Sequence, residues 1–146
     1  MPQTHETAEE AANRALVADS FDAWRDRTGS PFDLLAEHAR WTIPGHSAVA
    51  GSYPSKGAFI KAVIEPFNAR MTTTLAPSRV REIYTQGDTV IVFFDGAGVA
   101  RDGVPYTNTY VWILRLANGR IVDVNAFFDS IAFDALWSRV TPAASR

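Results

Sequence analysis

Residues 104–130 read VPYTNTYVWILRLANGRIVDVNAFFDS. Two runs rich in Val, Ile, Tyr, Trp and Phe flank the dipeptide Asn118–Gly119, which is two-residue hairpin chemistry because both positions of such a turn need positive φ. The stretch predicts two antiparallel strands. Upstream, TTTLAPSRVREIYTQG (72–87) and DTVIVFFDGAGVARDG (88–103) repeat the pattern, punctuated by Gln-Gly-Asp and Arg-Asp-Gly turns. Four strands joined tightly in succession make a meander, and long meanders must coil. Pro77 marks an edge or a bulge, and Gly96 and Gly98 sit where a long strand would need to bend.

Helices come first. ETAEEAANRALVADSFDAWRDR (6–27) carries an apolar stripe at helical spacing through Ala15, Leu16, Ala18, Phe21, Ala23 and Trp24, stopped by Gly29. SPFDLLAEH (30–38) offers a serine cap, a first-turn proline and a short helix. ARWTIPG (39–45) predicts a short strand, GHSAVAGSYPS (45–55) a loop, and SKGAFIKAVIEPFNARM (55–71) a helix bent or broken near Pro66. IAFDALWSR (131–139) closes the chain as a last helix. The expected class is α+β: a strongly curved antiparallel sheet with N-terminal helices covering its concave face.

The chain has 146 residues, which suits one domain spanning 1–146. A net charge of −2 without a block of like charges argues against nucleic acid or an anionic membrane as a partner. The chain has no cysteine, which excludes disulfides, thiolate nucleophiles and cysteine metal sites. His5, His38 and His46 are not spaced like a metal cluster, so neither a metal nor a cofactor is expected. The N-terminal MPQTHETAEEAANR is polar and acidic, unlike a signal peptide, and no apolar run approaches membrane-span length. A cytoplasmic protein is the expectation.

Side chains alternate across a sheet, so parity sorts each strand into two faces. Asn108, Tyr110, Trp112 and Leu114 share one face. Asp123, Asn125, Phe127 and Asp129 share another, as do Ile91, Phe93, Asp95 and Ala97. If these sets all point inward, Asp95, Asn108, Tyr110, Asn125 and Asp129 converge among Phe93, Trp112 and Phe127. That is the composition of a small-molecule site. Both faces of the strands are apolar, which predicts a homodimer packed sheet to sheet.

WTIPGHSAVAGSYPSKGAFI (41–60) and PYTNTYVWILRLANGRIVDVNAFFD (105–129) resemble the SnoaL-like polyketide cyclases of the nuclear transport factor 2 superfamily, which also holds ketosteroid isomerase and limonene epoxide hydrolase. The likeness runs from about Glu6 to about Arg139. It implies a cone-shaped α+β barrel with a pocket between sheet and helices. It also implies that Asp129 is the acid/base, that Trp41 lies near the pocket, and that Asn108 and Tyr110 face it. Departures are equally specific. The first helix carries Phe21 and Trp24 but no tyrosine for a ketosteroid isomerase oxyanion hole. Phe93 stands where an epoxide hydrolase relay would need arginine before Asp95, and Arg101–Asp102 falls in a turn.

A carboxylate among aromatic rings is poorly solvated and its pKa rises, which suits a general base. Asn108, Asn125 and Tyr110 could hold a carbonyl oxygen as enolate charge develops. The reading leans toward an enzyme: a cofactor-free isomerase, aldol cyclase or dehydratase acting on a hydrophobic polyketide-, steroid- or terpenoid-like molecule. Asp129 would be catalytic, assisted by Asp95 or His46, with Trp24, Trp41, Phe21 and Phe59 lining the cavity. Each residue has a plainer alternative. Asp129 could cap the last helix, Asp95 could sit at a bulge, Asn108 and Asn125 could be satisfied interior amides, His46 could be a solvated loop residue, and the rings could be plain core. The alternatives at the level of the whole chain are a non-catalytic binding or dimerisation module and, with less support, an epoxide hydrolase.

Overall fold

The computed structural model describes residues 5–144. Helix α1 (Ala8–Arg25) starts at a reciprocal cap. The Thr7 hydroxyl accepts from the Glu10 amide at 3.1 Å, and the Glu10 carboxylate accepts from the Thr7 amide at 2.7 Å. Its buried side is Val17, Ser20, Phe21 and Trp24, at spacings of three and four. The helix ends before Gly29, with Arg27 taking the left-handed conformation at φ 61°.

The next segment departs from expectation. The predicted helix over 30–38 is only a 3₁₀ turn, Pro31–Leu34, after which the chain is already in strand β1 (Leu35–Ile43). Ser30 caps the turn as read from the sequence, but four residues close it and β1 recruits the rest. The expected loop over 45–55 contains a short strand, β2 (Gly51–Tyr53), paired antiparallel to β1. Helix α2 (Lys56–Phe59), a π turn (Ile60–Ile64) and α3 (Glu65–Asn68) then run on without a break. Pro66 has no N–H for the Ala62 carbonyl, so the α pattern cannot pass through it; the wider turn just before Pro66 absorbs the misfit.

Strands β3 (Met71–Gln86), β4 (Thr89–Ala100), β5 (Pro105–Ala117) and β6 (Arg120–Phe128) form the meander, and α4 (Ser130–Arg139) follows. The six-stranded sheet has the order β2-β1-β6-β5-β4-β3, is strongly curved, and does not close into a barrel. All neighbours are antiparallel except β1 and β6, which run parallel; the long connection between them, through β2, the helical segment and β3 to β5, makes that pairing possible. Four register shifts between β3 and β4 bend β3 over the core. Gly98 allows the close approach: a Cβ there would lie 2.7 Å from the Thr73 carbonyl oxygen.

Helix α1 packs on β3 and β4, so the core is an aromatic stack between helix and sheet. Phe21 meets Phe94 edge-on at 4.9 Å and Trp112 at 5.6 Å. Burying each such side chain contributes about 2–3 kcal/mol. Arg70 is also buried, and its guanidinium donates to the carbonyls of Trp137, Val140 and Pro66, closing the C-terminal end of α4. Among the described residues, no helix is long and apolar enough to cross a membrane.

Candidate functional site: an aromatic chamber

Pairing across the sheet decides which residues face the core, because cross-strand partners share a face. Val92 pairs with Trp112 and Phe94 with Tyr110, so β4 turns Val92 and Phe94 inward. Phe93 and Asp95 therefore lie on the outer face, which corrects the expectation that they join the pocket. The correction in β6 has a local cause. Its register to β5 passes from Leu116↔Ile121 to Arg115↔Asp123, leaving Val122 as an extra residue. Without that bulge Trp112 would oppose Asn125, Tyr110 would oppose Phe127, and Asn108 would oppose Asp129. With it, Val124, Ala126 and Phe128 face the core, and Asn125, Phe127 and Asp129 are turned away.

Asp129 is exposed and caps α4: its carboxylate accepts from the Ile131 amide at 3.0 Å. It lines an outer groove together with Asp95, Thr107 and Thr109. Asp95 is clamped by Arg81 through two hydrogen bonds of 2.9 and 3.0 Å and by the Thr109 hydroxyl at 2.8 Å. Arg81 above all, then Thr109, holds its carboxyl below the usual carboxylate range. His46 is exposed in the loop after β1, outside the chamber lining.

The residues brought together inward are Trp24, Trp41, Phe59, Tyr110 and Trp112, and they help to line a partly open chamber of about 60 Å³. Phe21 packs behind Trp24 and Trp112 without lining it. Every element except β2 and β4 contributes to the wall: Phe32 comes from the 3₁₀ turn, Val63 and Ile64 from the π turn, Phe67 from α3, Leu75 from β3, Ala126 and Phe128 from β6, and Phe133 from α4. Residues four apart drift about 40° per step around an ideal α-helix. The wider π turn offsets that drift, which keeps Phe59, Val63 and Phe67 on one side. The wall is almost wholly carbon. Trp41 stacks on Phe59 at 4.0 Å, and its buried indole N–H has no hydrogen-bond partner.

Behind the Tyr110 ring, which lines the chamber, runs a chain of three polar side chains on β5. The Tyr110 and Tyr106 hydroxyls lie 2.8 Å apart, and the Asn108 amide donates to the Tyr106 oxygen at 2.8 Å. Asn108 also donates to the Asp129 carbonyl at 3.0 Å and accepts from the amides of Asp129 (3.0 Å) and Thr109 (2.8 Å). Both of its donors and both acceptor lone pairs are thus used, and the expected substrate-orienting amide is a latch joining β5 to the start of α4. Burial, with Tyr106 adding to it, raises the Tyr110 pKa well above the ordinary phenol value. Tyr106 is raised by burial too, partly offset by its bonds with Tyr110 and Asn108. Tyr106 escaped the sequence reading although it has the parity of Asn108 and Tyr110. Phe128 and Ala126 could not be read inward without knowing the bulge.

Comparison with solved structures gives the same fold at low identity. Bal32a, from a soil-derived mobile gene cassette, superposes with a TM-score of 0.71 at 22% identity, covering 88% of this chain and 98% of that one. A proposed SnoaL-like polyketide cyclase from Jannaschia sp. CCS1 gives 0.70 at 18%, covering 94% and 99%. A proposed isomerase from Bacillus subtilis gives 0.62 at 19%, covering 92% and 96%. No curated protein matches the chain. The sequence pattern of the SnoaL-like domain matches residues 10–124, most of the chain, and the protein belongs to the SnoaL-like domain family of the nuclear transport factor 2-like fold.

Proposed function

We propose that the protein binds a small, uncharged, largely apolar molecule, no more than one ring in size, in the aromatic chamber behind the sheet, whose side chains must give way for a full ring because benzene takes a cavity of about 150 Å³. One observation carries this reading: a void of about 60 Å³ persists amid large aromatic side chains. Protein interiors are otherwise close-packed, and a single water needs only about 10–15 Å³. The void is well below the roughly 300–1,000 Å³ of ordinary ligand sites, which favours a small guest over a steroid or a polyketide. The chamber lining carries no carboxylate or imidazole. A neutral Tyr110 hydroxyl donates a hydrogen bond but does not abstract a proton near neutral pH. The binding reading therefore has more support than a general-base enzyme at this chamber.

A second reading, a cofactor-free isomerase, cyclase or dehydratase, draws support from the names of two fold neighbours. Its place would be the outer groove that Asp129 shares with Asp95. The engagement of the Asp129 carboxylate as the cap of α4 weighs against a free catalytic role. We further propose that a second copy covers the outer sheet face, where Phe93, Val111 and Phe127 form one apolar row across three strands.

The experiment titrates methylenecyclopentane while following indole emission. Saturable binding that Ala126→Leu abolishes is expected. Binding unaffected by that chamber-filling change overturns the chamber as the site. Turnover of a carbonyl substrate that Asp129→Asn abolishes would establish the second reading instead.

A further inference from the structure

The sheet is left open along part of β1. Its neighbours there are β2 and β6, and β2 pairs only with residues 41–43. After Tyr53 the chain leaves the sheet for α2, which packs back on β1. Residues 35–40 therefore have no strand on the β2 side. The β6 side is thin as well: pairing passes from Leu35↔Ile121 to Arg40↔Asp123, so residues 36–39 stand against Val122 alone. An unpaired strand edge is a template for another strand. This one opens on a groove of about 830 Å³, to which β1 contributes Ala36 and Glu37, the helical segment Lys56, Ile60 and Glu65, and the start of β6 Arg120. The groove shares no residue with the aromatic chamber, and its size falls in the roughly 300–1,000 Å³ of ordinary ligand sites. Two carboxylates and two cations line it, and none of the four makes an ion pair among the described residues. Arg120 is held only by a hydrogen bond of 3.0 Å that it donates to the Asp33 carbonyl.

We propose that this groove binds an extended peptide segment of a partner protein, added as a strand along the open edge of β1, with one acidic and one basic side chain among its residues. Main-chain hydrogen bonds to residues 35–40 supply affinity in such strand addition, and the side chains of alternate residues supply specificity. The open edge is at most about 20 Å long, room for about six residues of partner. The charges choose the class of segment. A segment of one sign would meet its like in the same groove, and a wholly apolar one would strip water from four charges without replacing it. A segment bearing both signs sets its acid toward Lys56 and Arg120 and its base toward Glu37 and Glu65.

The test selects binders to the full chain from a random hexapeptide phage library and synthesises the enriched sequences. These should carry both an acid and a base. Bound peptide should slow hydrogen exchange at the amides of residues 36–40. Methylating alternate backbone nitrogens of the peptide should weaken binding roughly tenfold or more, because it removes main-chain donors. Lys56→Glu should weaken binding roughly twofold to fivefold, and exchanging the acid of the peptide for lysine should restore it. Lys56 and Glu37 lie at the surface, so Glu37→Lys, tried with a peptide whose base is replaced by glutamate, provides a second charge-reversal pair, and thermal melts confirm that both variants fold. No enrichment above a bait-free control overturns the inference. So does binding that backbone methylation leaves unchanged, which would show attraction of charges without strand addition. Exchange protection confined to residues outside 35–40 overturns it as well. None of these outcomes bears on the chamber-binding reading, which rests on a separate set of residues.

Discussion

Replacing Asn108 with alanine isolates the latch between β5 and α4. Four hydrogen bonds of 2.8–3.0 Å disappear together. The Asp129 amide and carbonyl lose the partners that hold the strand end against the helix start, and Tyr106 loses the donor to its oxygen. Leaving a buried polar group unpaired costs about 1–3 kcal/mol. The Asp129 backbone is only part-buried, so water recovers some of the loss, and a total of about 2–3 kcal/mol is the reasoned figure. For a domain of this length each kcal/mol moves Tm by about 2–4 °C, giving a fall of roughly 5–10 °C. Differential scanning calorimetry measures it, and amide exchange should quicken first at Ile131–Phe133. A melting temperature unchanged within error would refute the account of Asn108 as a saturated structural amide and return it to the pool of ligand-contacting residues.

Other perturbations probe separate parts of the account. Gly98→Ala pushes a methyl group against the Thr73 carbonyl, which is backbone and cannot swing aside. A loss of about 1–3 kcal/mol is expected, read as a lowered urea midpoint with an unchanged m-value. Tyr110 and Tyr106 have raised folded-state pKa values, so their neutral forms contribute stability that is fully present below about pH 10, the unfolded phenol value. That stability is lost as pH rises toward the folded values. Alkaline unfolding should be shallower in Tyr110→Phe, and a spectrophotometric titration should show these two phenols ionising only with unfolding. Phe127→Glu sets a charge in the exposed apolar row of the outer face and should shift a sheet-to-sheet dimer to monomer in sedimentation equilibrium. An unchanged mass would remove that face from any interface.

The long strands were legible in the sequence because β-branched and aromatic runs between Gly-containing turns have few other uses. The boundaries of β3 to β6 follow the runs closely. Asn108, Tyr110 and Trp112 were correctly put on one inward face because β5 buries that face unambiguously. The candidate site was read less well. One bulged residue, Val122, reverses the parity of β6, and nothing in the string RIVDV announces it. In β4 both faces are apolar, so Phe93 and Asp95 could be aimed either way until pairing with β5 fixed them. Asp129 precedes Ser130 and an apolar helical run, and the capping alternative visible there is the one the fold adopts. The 3₁₀ turn and β2 escaped for a different reason. Short elements draw their identity from neighbours in space, and local propensity carries little of it.

The central claim is that the aromatic chamber, and not the outer groove, receives the ligand. Indole N–H resonances test it most directly, because Trp24, Trp41 and Trp112 line the chamber while Trp137 lies outside it against Arg70. Titration with methylenecyclopentane should shift the first three signals saturably and leave Trp137 in place. Motion confined to Trp137, or to the amides of Thr107, Thr109 and Asp129 in the outer groove, would contradict the account.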